Sequence, residues 1–211
     1  YARKHHSSVN LVLNTAFFRA LESVVPHLPN ALLPIIMTVD LRRYLPSKKT
    51  DVMCNHSGAE VLFVQSRPDI PFPEILSQLL EQYKRLKNNY MGLSSILLIL
   101  ETFPVIKAVR FLPFHFIKKA FASRANPLSG VSSAAGLTNW GEVDAEKGRF
   151  GNTEITSAYA TTPLFRVPGA IGVVASYFKR TMTFNMHYLE KWLPGDIARG
   201  VLERMDQELR F

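Results

Sequence analysis

The run LLPIIMTVDL at residues 32–41 places the strongest condition on how this chain can fold. It is apolar and rich in β-branched side chains, so it reads as a buried strand. A buried strand cannot stand alone. It needs neighbours in a sheet and further layers packed against that sheet.

The rest of the chain supplies both. Ser7 or Ser8 is placed to cap a helix in which Val9, Val12, Leu13, Ala16, Phe17, Ala20, Leu21 and Val24 recur at helical spacing, with Pro26 closing it. MCNHSGAEVLFVQ (53–65) predicts a second strand, with a turn-prone stretch from Asn55 to Gly58. IPFPEILSQLLEQYKRLKNN (70–89) predicts an amphipathic helix with Pro73 in its first turn and Ile75, Leu76, Leu79, Leu80, Tyr83 and Leu86 on its apolar face. Two apolar helical segments come next, near 91–101 and 104–122, and small residues from Pro127 to Ala135 lead into a strand around 132–138. Strand composition then dominates at 153–161, 169–178 and 181–190, with Lys179 and Arg180 as a tight connection between the last two. A helix closes the chain from Asp196, its expected N-cap, with Ile197, Val201, Met205 and Leu209 on one side. This order is not a regular βαβ series. It predicts one α/β domain over residues 1–211, a mixed sheet covered by helices.

Composition narrows the function classes. With 211 residues, 47% apolar and 20% charged, the chain can bury a substantial core. The apolar run around Ile96–Leu100 is too short for a membrane span, which needs about 20 residues, and no signal segment opens the chain. The first residue is Tyr1, which suggests a fragment, a processed chain or a trimmed one. The single cysteine, Cys54, rules out an internal disulfide and fits a reducing, cytoplasmic setting. A net charge of +8 favours an anionic partner. The basic residues are dispersed and no nucleic-acid motif accompanies them, so nucleic acid is not expected. A phosphate-bearing acyl carrier such as coenzyme A is another candidate, and a merely basic surface accounts for the charge as well as either.

Few residues offer chemistry of their own. Cys54 and His56 lack a second ligand pair at zinc-like spacing, and His27, His115 and His187 are scattered, so no metal site is expected. There is no phosphate-binding glycine loop and no nucleophile elbow. The pair His5-His6 opens like the HHxxxDG signature of acyl-transferring enzymes, in which the second His is the base. Here the Asp and Gly positions hold Asn10 and Leu11, and Asn10 falls within the first predicted helix. No catalytic residue is therefore assigned. The segment 103–124 combines apolar bulk with only positive charge, from Lys107, Arg110, Lys118, Lys119 and Arg124. It reads first as a core helix with solvated charges, and peripheral membrane contact is a lesser alternative.

Taken in order, several segments resemble the second half of the chloramphenicol-acetyltransferase-like superfamily, which includes condensation domains and stand-alone acyltransferases. SSVNLVLNTAFFRAL is similar to the helix that opens that half, with Asn10 kept and Leu11 replacing an acidic residue. MTVDLRRYLP, with Asp40 and Arg42, resembles a V-D-x-R strand end, and VMCNHSG, with Asn55, resembles the G-N-x-x-G strand that comes after it. GLTNWGEVD resembles the S-N-x-G or D-F-G-W-G segment, and residues 171–209 resemble the closing hairpin and helix.

The resemblance implies a two-lobed fold with a tunnel between the lobes, this chain being the C-terminal lobe. It implies a partner N-terminal lobe that carries the catalytic His, so the isolated chain is expected to be inactive. It further implies a coenzyme A or phosphopantetheine thioester as substrate, with no tightly bound cofactor, and an acyl carrier protein as a further partner. Asn139, Trp140 and Gly141 would lie at the substrate tunnel or lobe interface. Asn10, Asp40, Arg42 and Asn55 would be structural. A non-catalytic interaction domain that self-associates or pairs with a separate chain is the alternative.

Overall fold

The computed structural model describes residues 1–24, 31–47, 56–67, 69–109, 113, 135–145, 149–162 and 171–210. The buried-strand segment forms β1 (Leu32–Asp40), which runs directly into a short 3-10 helix (Leu41–Tyr44). It pairs antiparallel with β2 (Ser57–Gln65) on one side and parallel with β3 (Ala135–Glu142) on the other. A separate two-stranded ribbon, β4 (Arg149–Phe150) and β5 (Thr153–Glu154), lies in the connection that leaves β3. β6 (Gly172–Phe178) continues the main sheet parallel to β3, and β7 (Thr181–His187) closes it antiparallel to β6. The resulting five-stranded mixed sheet has the order β2-β1-β3-β6-β7.

The register puts the core on one face. Ile35 pairs with Leu62 and Ala135, Met37 with Leu137, Leu137 with Val173, and Val173 with Met186, so all these side chains share a face. Three helices cover it: α1 (Val9–Val24), α2 (Phe72–Lys87) and, after α3 (Leu93–Val109), the closing α4 (Gly195–Glu208). α1 lies between α2 and α4 and is buried nearly all round. Phe18 packs with Ile35, Leu62 and Ile75, whereas the adjacent Phe17 packs with Leu137, Val173 and Val201. The Ser8 hydroxyl caps α1 by accepting from the Leu11 N–H at 3.3 Å.

β1 is not buried on both faces. Ile35, Met37 and Val39 are closed off, while Pro34, Ile36 and Thr38 on the other face keep partial exposure. That second face is covered along β6 and β7, where the segment 155–162 crosses it. The Ala160 N–H donates to Ser176 Oγ at 3.1 Å, and Asn185 Nδ2 donates to the Ala160 carbonyl at 2.9 Å. Val174 and Ser176 are fully buried beneath this crossing.

Three expectations are corrected. α3 runs as one helix through the expected break between 101 and 104, with Pro104 inside it. The predicted strand at 153–161 is regular only at Thr153–Glu154, because the rest bonds across the sheet through single groups rather than along a neighbouring strand. β3 is seen from Ala135, and residues 132–134 of the expected strand lie outside the described residues. Pro194, not Asp196, is the N-cap of α4, and it bears no capping side chain. Asp196 sits in the first turn, where its charge meets the positive end of the helix dipole.

A buried ion pair ties α4 to the central helix. Glu208 on α4 accepts from Arg19 Nε of α1 at 2.7 Å and from Arg204 Nη2 at 2.7 Å, with its own side chain 10% exposed. Arg19 Nη1 also donates to the Ile70 carbonyl. Removing the carboxylate strands two guanidinium groups at the rim of the core. Glu208→Ala is therefore expected to cost about 3 kcal/mol, read as a lowered urea midpoint with unchanged slope.

Candidate functional site

The parallel strands β1, β3 and β6 all finish at the same edge of the sheet, the side on which ligands meet open α/β sheets. The chain is irregular just beyond each of these strand ends. The residues that the sequence marks for attention divide between this edge and the core.

At the end of β1, the Asp40 carboxylate caps the 3-10 helix. It accepts from the Arg42 N–H at 3.0 Å and from Arg42 Nε at 2.9 Å, with both side chains more than half exposed. Burial alone would raise the Asp40 carboxyl, but the Arg42 backbone N–H, the Arg42 guanidinium and the charge of Arg43 outweigh it and hold it below its ordinary range. Behind this turn the Tyr44 hydroxyl donates to the Met91 carbonyl at 2.9 Å.

At the end of β3, the ladder breaks. The register to β6 shifts between Asn139 and Glu142, which marks a β-bulge, and pairing resumes where the Val143 N–H donates to the Tyr177 carbonyl at 2.7 Å. Asn139 Oδ1 accepts from the Gly141 N–H at 2.9 Å and so braces the bulge from within. Gly141 has φ of +74°. Among the described residues nothing lies within 4 Å of where its Cβ would be, and its left-handed backbone is what calls for glycine here. The bulge turns the Trp140 side chain outward, 60% exposed.

At the end of β6, Lys179 and Arg180 make the two-residue connection with φ of 42° and 70°. Two successive positive φ values are the pattern of a type I′ turn, which normally takes Asn-Gly. Holding two long basic residues there stores backbone strain. Lys179 Nζ donates to Glu154 Oε1 at 2.5 Å and to the Ile155 carbonyl at 2.9 Å. The bond to Glu154 and the ammonium charge hold the Glu154 carboxyl below its ordinary range. The sequence shows Lys179 and Arg180 only as a turn. The positive φ values and the tie to Glu154 carry no local signal.

The remaining candidates lie elsewhere. Asn10 is in the first turn of α1, where its backbone carbonyl and Oδ1 accept from Asn14 Nδ2 at 2.8 Å and 3.2 Å. Asn14, not expected from the sequence, is fully buried, and its Oδ1 has no partner among the described residues. Asn55 lies outside the described residues, as do Cys54, His27 and His115. His5 stacks on the Tyr1 ring with centroids 4.2 Å apart, and His6 sits at φ of 48° in the turn before α1. Among the described residues no group of three or more His, Cys, Asp and Glu is placed to hold a metal.

One histidine is half-buried against the sheet. His187, at the end of β7, bonds the Thr162 hydroxyl, with Nε2 2.9 Å away, and lies over Gly172, where any Cβ would strike the ring. Burial pushes its pKa below the ordinary 6.5. Gly172 begins β6, so His187 is at the sheet edge opposite the bulge.

No family model and no curated protein matches the sequence. Solved structures do resemble the fold. Polyketide synthase associated protein 5 from Mycobacterium tuberculosis superposes with a TM-score of 0.56 at 13% identity, over 100% of this chain and 48% of that one. The TRI3 trichothecene 15-O-acetyltransferase from Fusarium sporotrichioides gives 0.63 at 12% identity, over 95% of this chain and 40% of that one. The epimerization domain from the third module of tyrocidine synthetase B gives 0.57 at 11% identity, over 99% and 42%. This chain spans less than half the length of each. At such identities the likeness shows the fold, which is that of part of the chloramphenicol-acetyltransferase-like and condensation-domain structures.

The bulge and the histidine each give a measurable outcome. Gly141→Ala forces a side chain into the left-handed region and is expected to destabilise by about 1 kcal/mol, measured by chemical denaturation. His187 takes up protons more readily unfolded than folded, so folding stability falls as pH drops from about 7 through the ordinary histidine range of ~6.5. His187→Gln should flatten that dependence, measured as the pH profile of the urea midpoint.

Proposed function

We propose that this chain is the C-terminal lobe of an acyltransferase that moves an acyl group from a coenzyme A or carrier-protein thioester to a hydroxyl or amine. It would form one wall of the substrate tunnel, and a separate N-terminal lobe would supply the His that acts as general base. The carrying observation is the braced bulge at the end of β3. It presents Trp140 to solvent at the strand-end edge of a sheet whose fold is shared with the O-acetyltransferase structure and the synthetase epimerization domain. A large aromatic held outward by a fixed backbone is suited to pack against a partner lobe or against an acyl-pantetheine arm. Asn139 and Gly141 set its direction. Arg180 and Arg43, both exposed, are suited to meet the phosphates of the carrier.

The described residues support a positioning role rather than the chemical step itself. His5 and His6 lack the Asp and Gly that hold the HHxxxDG loop, and His187 is engaged with Thr162 on the opposite edge. A cytoplasmic setting is part of the proposal. Among the described residues no helix is long and apolar enough to cross a membrane. The alternative is a non-catalytic domain of the same fold that pairs with itself or another chain, and the outer position of β7 in the described sheet favours the self-pairing form of it.

The test is acyl transfer from acetyl-coenzyme A to a panel of alcohols and amines. The 211-residue chain alone should show no turnover. Added to an N-terminal lobe carrying HHxxxDG, it should restore turnover. Trp140→Ala should then lower kcat/KM by about tenfold, equivalent to roughly 1.4 kcal/mol of transition-state binding. Robust turnover by the isolated chain that His6→Ala abolishes would overturn the assignment of roles.

A further inference from the structure

The two outer strands of the sheet are treated differently. A sheet edge exposes backbone N–H and C=O groups that can pair with another strand, and proteins blunt such edges with charge, proline or cover. β2 is blunted by side chains. Gln82 of α2 accepts from the Phe63 N–H at 3.0 Å and donates to the Phe63 carbonyl at 2.7 Å, so one carboxamide takes the place of a neighbouring peptide. Further along, Ser95 of α3 accepts from the Ala59 N–H at 3.1 Å. Along Thr181–Met186 of β7 no such cover is seen among the described residues. No hydrogen bond from them reaches its outer backbone, and the strand contains no Lys, Arg, Asp, Glu or Pro. Every residue in it keeps partial or full exposure, Met182 at 39%.

The sequence of β7 is also complementary to itself. TMTFNMH alternates polar and apolar residues symmetrically about Phe184. Laid antiparallel against a second copy and centred on Phe184, it would set Phe184 beside Phe184, Met182 beside Met186, and Thr183 beside Asn185. The apolar pairs would extend the helix-covered face, to which Phe184 and Met186 already belong, and the polar pairs would extend the other face. Aromatic and apolar cross-strand pairs of this kind stabilise a ladder, and like charges are absent from it. The basic turn of Lys179 and Arg180 precedes β7, and Glu190 and Lys191 with opposite charges lie just past its end, so antiparallel pairing sets no net like charge against the basic turn. Lys191, next to Glu190, lies over the Trp192 ring, 5.7 Å from its centroid.

We infer that this chain forms a two-fold symmetric dimer through β7, with one continuous sheet running through both copies. The interface is isologous and closes on itself, so it yields a dimer and not a fibre. Such a dimer requires only the β7 edge, whether or not the chain takes part in acyl transfer.

Light scattering coupled to size exclusion, over about 1–200 µM of the 211-residue chain, tests it. The expected result is a concentration-dependent rise to twice the chain mass of 23.8 kDa. Met182→Lys places a charge on the exposed edge and should raise the dissociation constant at least about tenfold. Gln82→Ala, on the other edge, should leave the dimer intact. Hydrogen exchange on the unaltered chain gives a readout that needs no variant: amides of Thr181–Met186 should gain protection as concentration rises. A monomer across the whole range, or a dimer indifferent to Met182→Lys, overturns the inference. So does protection of β7 that is independent of concentration, since a strand of the same chain would then hold the edge.

Discussion

The structure depends on α1 and on the divergence of two adjacent side chains. Phe17 and Phe18 leave the helix in different directions and enter different halves of the core, one over β3 and β6, the other over β1 and β2. Each is at most 1% exposed. A helix used this way cannot be simply amphipathic, because α2 and α4 flank it while the sheet lies beneath. Its buried polar groups are therefore met largely within the helix. The Thr15 hydroxyl donates to the Leu11 carbonyl at 2.9 Å, and the Asn14 amide turns back to Asn10. Glu208 then fixes the rim, where α4 could otherwise slide along α1.

That packing lets the strand-end edge be irregular. The covered face of the sheet is closed by α1, α2 and α4, so the register of β1, β3 and β6 is set by side chains well inside the strands. The ends are then free to depart from regular geometry. A bulge at Asn139–Gly141 and a strained turn at Lys179–Arg180 both sit there. Each costs stability that the core must offset. Each also fixes the direction of an exposed group, Trp140 in one case and two cations in the other. Rigid support beneath an irregular rim is what a positioning wall requires.

Much of this is legible in the sequence wherever the signal is local. The period of residues 9–24, the amphipathic face of 72–87 and the apolar run at 32–40 each specify an element from their own spacing, and Lys179-Arg180 between two strand-like runs marks the hairpin. The failures share a cause. Pro104 looks like a break in the sequence, but α3 runs through it, and the start of α3 is tied to β2. Glu60 accepts from the Gly92 N–H at 2.6 Å, and Ser95 bonds Ala59, so the start of that helix is held by another element. Residues 155–161 have strand composition yet no strand neighbour, and what holds them lies on β6 and β7. Gly141 stands out in the sequence as part of a motif, but its φ of +74° has no local signal there. The pairing of Thr162 with His187 joins residues with no pattern between them in the sequence.

The two proposed contacts of this chain do not compete for the same surface. A partner lobe meeting Trp140 would approach along the strand direction, at the end of β3 in the middle of the sheet. A second copy pairing through β7 would approach across the strands, from the side. These directions are roughly perpendicular, since a sheet presents its strand ends and its strand edges on different boundaries. The Lys179–Arg180 turn is the corner where they meet. It ends β6 at the first boundary and begins β7 at the second, and Lys179 is already fixed there by Glu154. Pairing along β7 would therefore hold the basic corner of each copy in place without covering the bulge. A lobe of this fold can in this way be one wall of a tunnel and half of a dimer at once.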